Sequence, residues 1–278
     1  MTYKIAKDFA DKTKELDLNK KKCYGDTLVP GLKMDPRPSQ QLFFGVQESR
    51  NVPLPLLDHI VKKTLTLLDY KLSDGAQRSL ASACQSLDQQ QVNRLHLSNN
   101  GISGENFTAI LQGIAHLSDV KSITYHQNAI EQSSVRALSD LLARQVPYHL
   151  EELKLLNVKM TLNTSSALFH ALLPENSLIK LALVKLPITE SQFDALVQSI
   201  GNHATLQQLD LSWCPVRPSS FGKFFYAITF NQTLTQLTMQ WNTLTDARTE
   251  KKTVLDICQF IKSSKSLLVL DLSHTGLS

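Results

Sequence analysis

Chemistry in this chain could come from histidines or from short catalytic motifs. His96 and His126 are expected to approach one another, but a metal site needs a third ligand and none is evident. The sequence has no Gly-rich phosphate loop, no Gly-x-Ser-x-Gly elbow and no His-Glu-x-x-His helix. We therefore predict that the protein is not an enzyme and that it uses neither a metal nor another cofactor.

Four cysteines, Cys23, Cys84, Cys214 and Cys258, are far apart in the sequence and form no Cys-x-x-Cys pair. That spacing disfavours both a disulfide framework and a zinc site, so reduced thiols are expected. Cys84 and Cys258 fall on the apolar sides of predicted helices, where we expect burial and not nucleophilic chemistry.

Composition is typical of a globular chain that folds in water. Of 278 residues, 42% are hydrophobic and 19% are charged, with a net charge of +4. No apolar run is long enough to span a membrane, and the first residues are too charged for a secretory signal. Lys20, Lys21 and Lys22 form a basic run that we interpret as solvated surface. We expect a cytoplasmic protein that binds neither membrane nor nucleic acid.

A repeat organises most of the chain. The pattern Leu-x-x-Leu-x-Leu-x-x-Asn/Cys-x-Leu begins at Val92, Val120, Leu150, Leu178, Leu206, Leu234 and Leu267, at intervals of 28, 30, 28, 28, 28 and 33 residues. Weaker copies lie upstream, around Leu65 and Leu67, Leu42 and Phe44, and Leu16 and Leu18. Self-similarity at a fixed period is the signature of a repeat protein. We divide the chain into an N-terminal cap with degenerate repeats, 1–61, and regular repeats, 62–278.

Each copy predicts a strand followed by a helix. Leucines two positions apart project to one face of a short strand, and the Asn or Cys after the strand can bond the backbone of the turn. The apolar residues that follow recur at helical spacing, as at Val254, Ile257 and Ile261, and we expect them to face the strands. Ser103 and Thr189 mark helix starts. We predict an α/β solenoid with about eight to ten units, parallel strands on the concave face and helices on the convex face.

The 28-residue period resembles the ribonuclease-inhibitor-like class of leucine-rich repeats, over residues 62–278. The resemblance implies protein binding on the concave face. It leaves several functions open: a scaffold, an inhibitor, a bacterial effector that holds a host protein in the host cytosol, or a GTPase activator similar to the Ran type. The acidic tail expected of a Ran-type activator is missing and this chain is net basic, and both points count against that alternative.

Because side chains alternate along a strand, the repeat pattern predicts which residues project from the face opposite the leucines. Trp213 and Trp241 should be neighbours at the rim, because parallel strands lie about 4.8 Å apart. They either cover the rim or contact a partner; tryptophan is enriched in interface hot spots. The candidate partner-binding residues are Trp213, Trp241, Leu156, Val184, Lys154, Lys185, Asp210 and His126.

Two expectations concern the last copy. Its longer interval contains an insertion, Thr245 to Lys252, which we expect to be exposed and mobile. The repeat ends at the C-terminus without a polar cap, so we expect more chain or a second molecule to cover that end.

Overall fold

A computed structural model describes residues 60–85, 87, 92–144, 149–172, 176–229, 231–246 and 250–277. Strands and helices alternate along this part of the chain. The strands are β1 Ile60–Val61, β2 Thr64–Leu68, β3 Arg94–Ser98, β4 Ser122–His126, β5 Glu152–Leu156, β6 Lys180–Val184, β7 Gln208–Asp210, β8 Gln236–Thr238 and β9 Val269–Asp271. The helices are α1 Asp74–Gln85, α2 Gly104–Ile114, α3 Gln132–Leu142, α4 Leu162–Leu172, α5 Glu190–Gly201, α6 Pro218–Ile228 and α7 Glu250–Ser263.

These strands form one sheet whose order follows the sequence from β1 to β9. β1 pairs with β2 antiparallel, and all later pairs are parallel. Equivalent repeat positions pair with each other, as Leu181 with Leu209 and Leu209 with Leu237. The prediction of a strand at each Leu-x-Leu is therefore confirmed for β2 to β6, whereas β7, β8 and β9 contain the first apolar residue of the pattern and end before the second.

One hydrophobic core runs between the sheet and the helices. The strand leucines, such as Leu153, Leu209 and Leu237, belong to the same buried cluster as the apolar helix residues, such as Phe193 and Phe224. The helices thus pack on the leucine side of the sheet. We call the other side the open face; its central column is His96, Thr124, Lys154, Ala182, Asp210, Thr238 and Asp271.

Buried asparagines tie one unit to the next, as expected from the repeat. The Asn128 side-chain oxygen accepts hydrogen bonds from the backbone N–H groups of Asn100 (2.9 Å) and Ile102 (3.1 Å). Asn242 does the same for Cys214, whose N–H donates at 2.6 Å. Pairing these buried amides avoids the cost of leaving them without a partner.

Both predicted helix starts are confirmed. The Ser103 hydroxyl accepts from the Asn106 backbone N–H at 3.2 Å. Thr189 and Gln192 form a reciprocal capping box at the start of α5. These bonds satisfy N–H groups that have no partner inside the helix.

The last helix corrects two expectations. Val254 and Ile261 were expected to face the strands, but they are 38% and 50% exposed, and the buried side of α7 is Thr253, Ile257 and Phe260. Cys258 was expected to be buried and is exposed. It follows Ile257 by one position, a rotation of about 100° around the helix, which carries its side chain out of the core.

The structure tests the predictions about the two ends of the repeat region only in part. The division at residue 61 stays a prediction, because residues 1–59 lie outside the described residues. In the insertion, Asp246 and Glu250 are exposed, residues 247–249 lie outside the described part, and mobility stays a prediction. Near β9, Leu268 is 82% exposed, and Leu270 and Leu272 are only partly buried.

Candidate functional site

A row of residues with left-handed backbone lies just beyond the strands, at the rim of the open face. It runs through Asn99, Gln127, Asn157, Lys185, Trp213, Trp241 and His274, with φ between 49° and 60°. We call it the rim row. The sharp turn after each strand imposes this conformation, which asparagine tolerates well and bulky residues do not. Tryptophan at two of these positions therefore costs backbone energy on the order of 1 kcal/mol each.

The aromatic members of the rim row stack. The rings of Trp213 and Trp241 have centroids 5.1 Å apart and planes 15° apart. His274 stacks on Trp241 at 3.9 Å, and the Lys185 ammonium lies 5.7 Å from the Trp213 ring centroid. Such contacts contribute about 0.5–1.5 kcal/mol per aromatic pair, enough to offset the left-handed backbone.

The stack leaves ring edges in solvent. Trp213 is 47% exposed and Trp241 is 48% exposed, whereas Leu209 is 1% exposed. Because each tryptophan has neighbours against its ring faces, a binding partner would contact mainly the edges. The sequence predicted that the two side chains are neighbours, and the structure confirms it; the contribution of His274 was missed.

Leu156 and Val184 form a small apolar strip on the open face. They pair in register at the ends of β5 and β6, and both are partly buried. The strip was expected to extend toward the tryptophans. It stops at β7, where the equivalent residue is Ser212, which is 4% exposed.

Lys154 is not a free charge, because its ammonium lies 2.5 Å from the Glu152 carboxylate. The other Glu152 oxygen accepts from the Ser122 hydroxyl at 2.8 Å. Burial raises the pKa of Glu152, but the hydrogen bonds from Lys154 and Ser122 and the charges of Lys154 and Lys180 lower it overall. Glu152 is therefore an anion that Lys154 neutralises in part.

Asp210 is also engaged within the protein. Its Oδ1 accepts from the Ser212 backbone N–H at 3.0 Å and from the Ser212 hydroxyl at 2.6 Å. Asp271 and Ser273 repeat this arrangement, and the hydrogen bonds to Asp271 from Ser273 lower the pKa of its carboxyl. The signal, Asp-Leu-Ser in two copies, was visible in the sequence.

A depression of about 230 Å³ lies in the open face around Ala182. The lining residues include Lys154 and Lys180 on one side and Gln208 and Asp210 on the other. Ala182 is the small residue in a column of larger ones, so its short side chain forms the floor. The depression was not predicted from the sequence.

His96 and His126 lie on neighbouring strands of the open face. Burial first, and then the charges of His126 and Lys154, lower the pKa of His96 and favour the neutral ring. His126 Nδ1 and the Ser98 hydroxyl are 2.9 Å apart. Within the described residues, no group of three His, Cys, Asp or Glu side chains is arranged to hold a metal ion.

Neither buried thiol has the environment of a nucleophile. Burial raises the pKa of Cys84 to about 12, and burial together with the Asp210 charge raises that of Cys214 to about 12. Both thiols are therefore protonated at neutral pH, and the thiolate is the reactive form.

No protein-family model matches this chain, and a search of curated proteins finds no match. Across the helices that the structure describes, none is both long and apolar enough to cross a membrane.

Proposed function

We propose that the protein is a non-enzymatic protein-binding module, a leucine-rich-repeat solenoid of the ribonuclease-inhibitor-like class. It binds a partner protein on the open face, as a scaffold or an inhibitor. In-register parallel strands, each followed by a helix, support the repeat class. The buried Asn128 and Asn242, which bond to the preceding unit, support it as well.

The exposed tryptophan pair carries the proposal. Two half-exposed tryptophans occupy backbone positions that asparagine fills at Asn99 and Asn157 with less strain. Neither ring fills the core, since the leucine side of the sheet is already packed. Tryptophan is the residue most enriched in interface hot spots. A partner-binding role explains why two large aromatic side chains stay half exposed there.

Photo-crosslinking tests which side of the protein meets the partner. A benzoylphenylalanine replaces Lys185, which is exposed and next to Trp213, or Tyr226, which is 67% exposed on α6. Both variants are irradiated with the same cell extract. We expect a covalent product of discrete mass from position 185 and none of that mass from position 226.

The opposite pattern would assign binding to the helix side and reject the proposal. Equal products from both positions would indicate non-specific adhesion and would reject it too. Circular dichroism of each variant establishes that both proteins are folded before irradiation.

A further inference from the structure

Charge is distributed unevenly over the open face. Arg94, Lys154 and Lys180 project from β3, β5 and β6 against one carboxylate, Glu152. On β7 to β9 the charged open-face residues within the described chain are Asp210 and Asp271. Lys185 adds a further cation at the rim, beside Trp213. The side of the face nearer β3 is therefore cationic.

The carboxylates of the face are already hydrogen-bonded. Glu152 accepts from Lys154 and Ser122, and Asp210 accepts twice from Ser212. Asp271 accepts from Ser273 and from the Gln240 amide. These hydrogen bonds hold all three carboxylates in position within the protein.

The lysine ammonium groups, in contrast, retain donors. An ammonium has three N–H groups, and the structure directs one of those on Lys154 to Glu152. Lys154 and Lys180 both line the depression over Ala182, and the amides of Gln208 and Gln236 also border it. Asp210 borders it as well, with its Oδ1 held by Ser212. A site with spare donors is complementary to an acceptor that carries negative charge.

Along the strand direction, the open-face side chains of the site change from charged to apolar. Along β6 the open-face positions are Lys180, Ala182 and Val184, with Leu156 beside Val184. The rise of about 3.3 Å per residue separates Lys180 from Val184 by roughly 13 Å. The edge of Trp213 lies beyond them at the rim.

We propose, on the basis of the function proposed above, that the open face recognises a partner segment that carries a carboxylate followed by an apolar side chain. The carboxylate enters the depression beside Lys154 and Lys180. The apolar side chain covers Leu156 and Val184 and reaches the edge of Trp213. In an extended segment, roughly 13 Å corresponds to about four residues.

Selection from random 12-residue peptides displayed on phage tests this chemistry. The wild-type protein is the bait, and the selected peptides are then synthesised. We expect enrichment of peptides with Asp or Glu three to five positions from a large apolar residue. Enrichment of Lys or Arg, or no enrichment above beads without protein, would overturn the proposal.

Charge-reversal variants locate the contact. Lys180→Glu changes the depression, whereas Lys262→Glu makes the same change at an exposed site on α7. We expect Lys180→Glu to weaken peptide binding at least tenfold. A tenfold loss of affinity corresponds to about 1.4 kcal/mol, roughly the contribution of one ionic contact. Lys262→Glu should bind as the wild type does. Equal binding by both variants would refute a role for the depression.

The variant Trp213→Asn distinguishes the charge preference proposed here from the broader proposal that the open face binds a partner protein. Peptides that lose affinity with Trp213→Asn but not with Lys180→Glu would leave open-face binding intact and reject the charge preference. Peptides that respond to neither change would reject both. Thermal unfolding of every variant verifies that it is folded under the binding conditions.

Discussion

Trp241 stacks on His274, with ring centroids 3.9 Å apart and planes 12° apart. The two residues occupy the same position in successive repeats, just after β8 and just after β9. A helical or extended backbone there would send the side chains elsewhere. The stack is therefore a product of the left-handed turn that the repeat imposes after each strand.

Removal of the outer ring should loosen the stack without unfolding the protein. We expect His274→Ala to reduce the near-ultraviolet circular dichroism of the tryptophans and to lower the unfolding free energy by no more than about 1 kcal/mol, since one ring pair is lost. An unchanged tryptophan spectrum would contradict the stacked arrangement.

Leucines inside and outside the core should respond differently to truncation. Leu209 is 1% exposed between sheet and helices, and Leu209→Ala should cost roughly 2–5 kcal/mol by loss of burial and cavity formation. Leu268 is 82% exposed, and Leu268→Ala should cost less than about 0.5 kcal/mol. Denaturant unfolding measures both, and similar costs would show that the leucine side is assigned incorrectly.

Gly113 should reject a methyl group although it lies inside a helix. Glycine-to-alanine changes in helices commonly stabilise by about 0.5–1 kcal/mol. A Cβ at Gly113, however, would lie 2.9 Å from the Ala81 backbone oxygen and 3.0 Å from Cys84 Cβ. We expect Gly113→Ala to lower the melting temperature because α1 and α2 would have to separate.

Gly222 provides the comparison for that variant. Its added Cβ would meet the side chains of Asp256 at 3.3 Å and Thr253 at 3.4 Å, which can move more easily than backbone. Gly222→Ala should therefore be tolerated better than Gly113→Ala. The reverse order of melting temperatures would disprove the close packing of α1 on α2.

Thiol reactivity should distinguish the cysteines. At pH 8, iodoacetamide should modify the exposed Cys258 rapidly and leave Cys84 and Cys214 unmodified in the folded protein. Cys23 lies outside the described residues, so Cys23→Ser simplifies the experiment. Mass spectrometry of the digested protein reads the sites, and rapid labelling of Cys84 would contradict its burial.

Stability should also depend on alkaline pH through the same thiols. Burial raises the folded-state pKa of Cys84 from 9.0 to about 12, and burial together with the Asp210 charge does the same for Cys214. Their protonated forms thus contribute stability that is fully present below pH 9 and is lost as pH rises to about 12. The double variant Cys84→Ala, Cys214→Ala should show a shallower decline in unfolding free energy over that range; an equally steep decline would exclude the thiols as its cause.

Sequence periodicity was sufficient to predict the strands, their register and the side-by-side tryptophans. Leu209 and its equivalents recur at fixed intervals, and burial in one core imposes that recurrence. The ion pair of Lys154 with Glu152 and the depression over Ala182 depend on side-chain size and rotamer, which have no period. The orientation of α7 was predicted incorrectly because Val254 and Phe260 are both apolar, and neighbouring elements decide which one is buried.

Binding and stability of the double variant Trp213→Asn, Trp241→Asn, measured on the same samples, test the central claim most directly. Asparagine suits the left-handed backbone, so the unfolding free energy should change by no more than about 1 kcal/mol. Affinity for the crosslinked partner, by titration calorimetry, should fall by about 2 kcal/mol or more, roughly 30-fold. The matched variant Tyr226→Asn should bind normally. Undiminished affinity of the double variant would contradict the account and assign the tryptophans to packing of the rim.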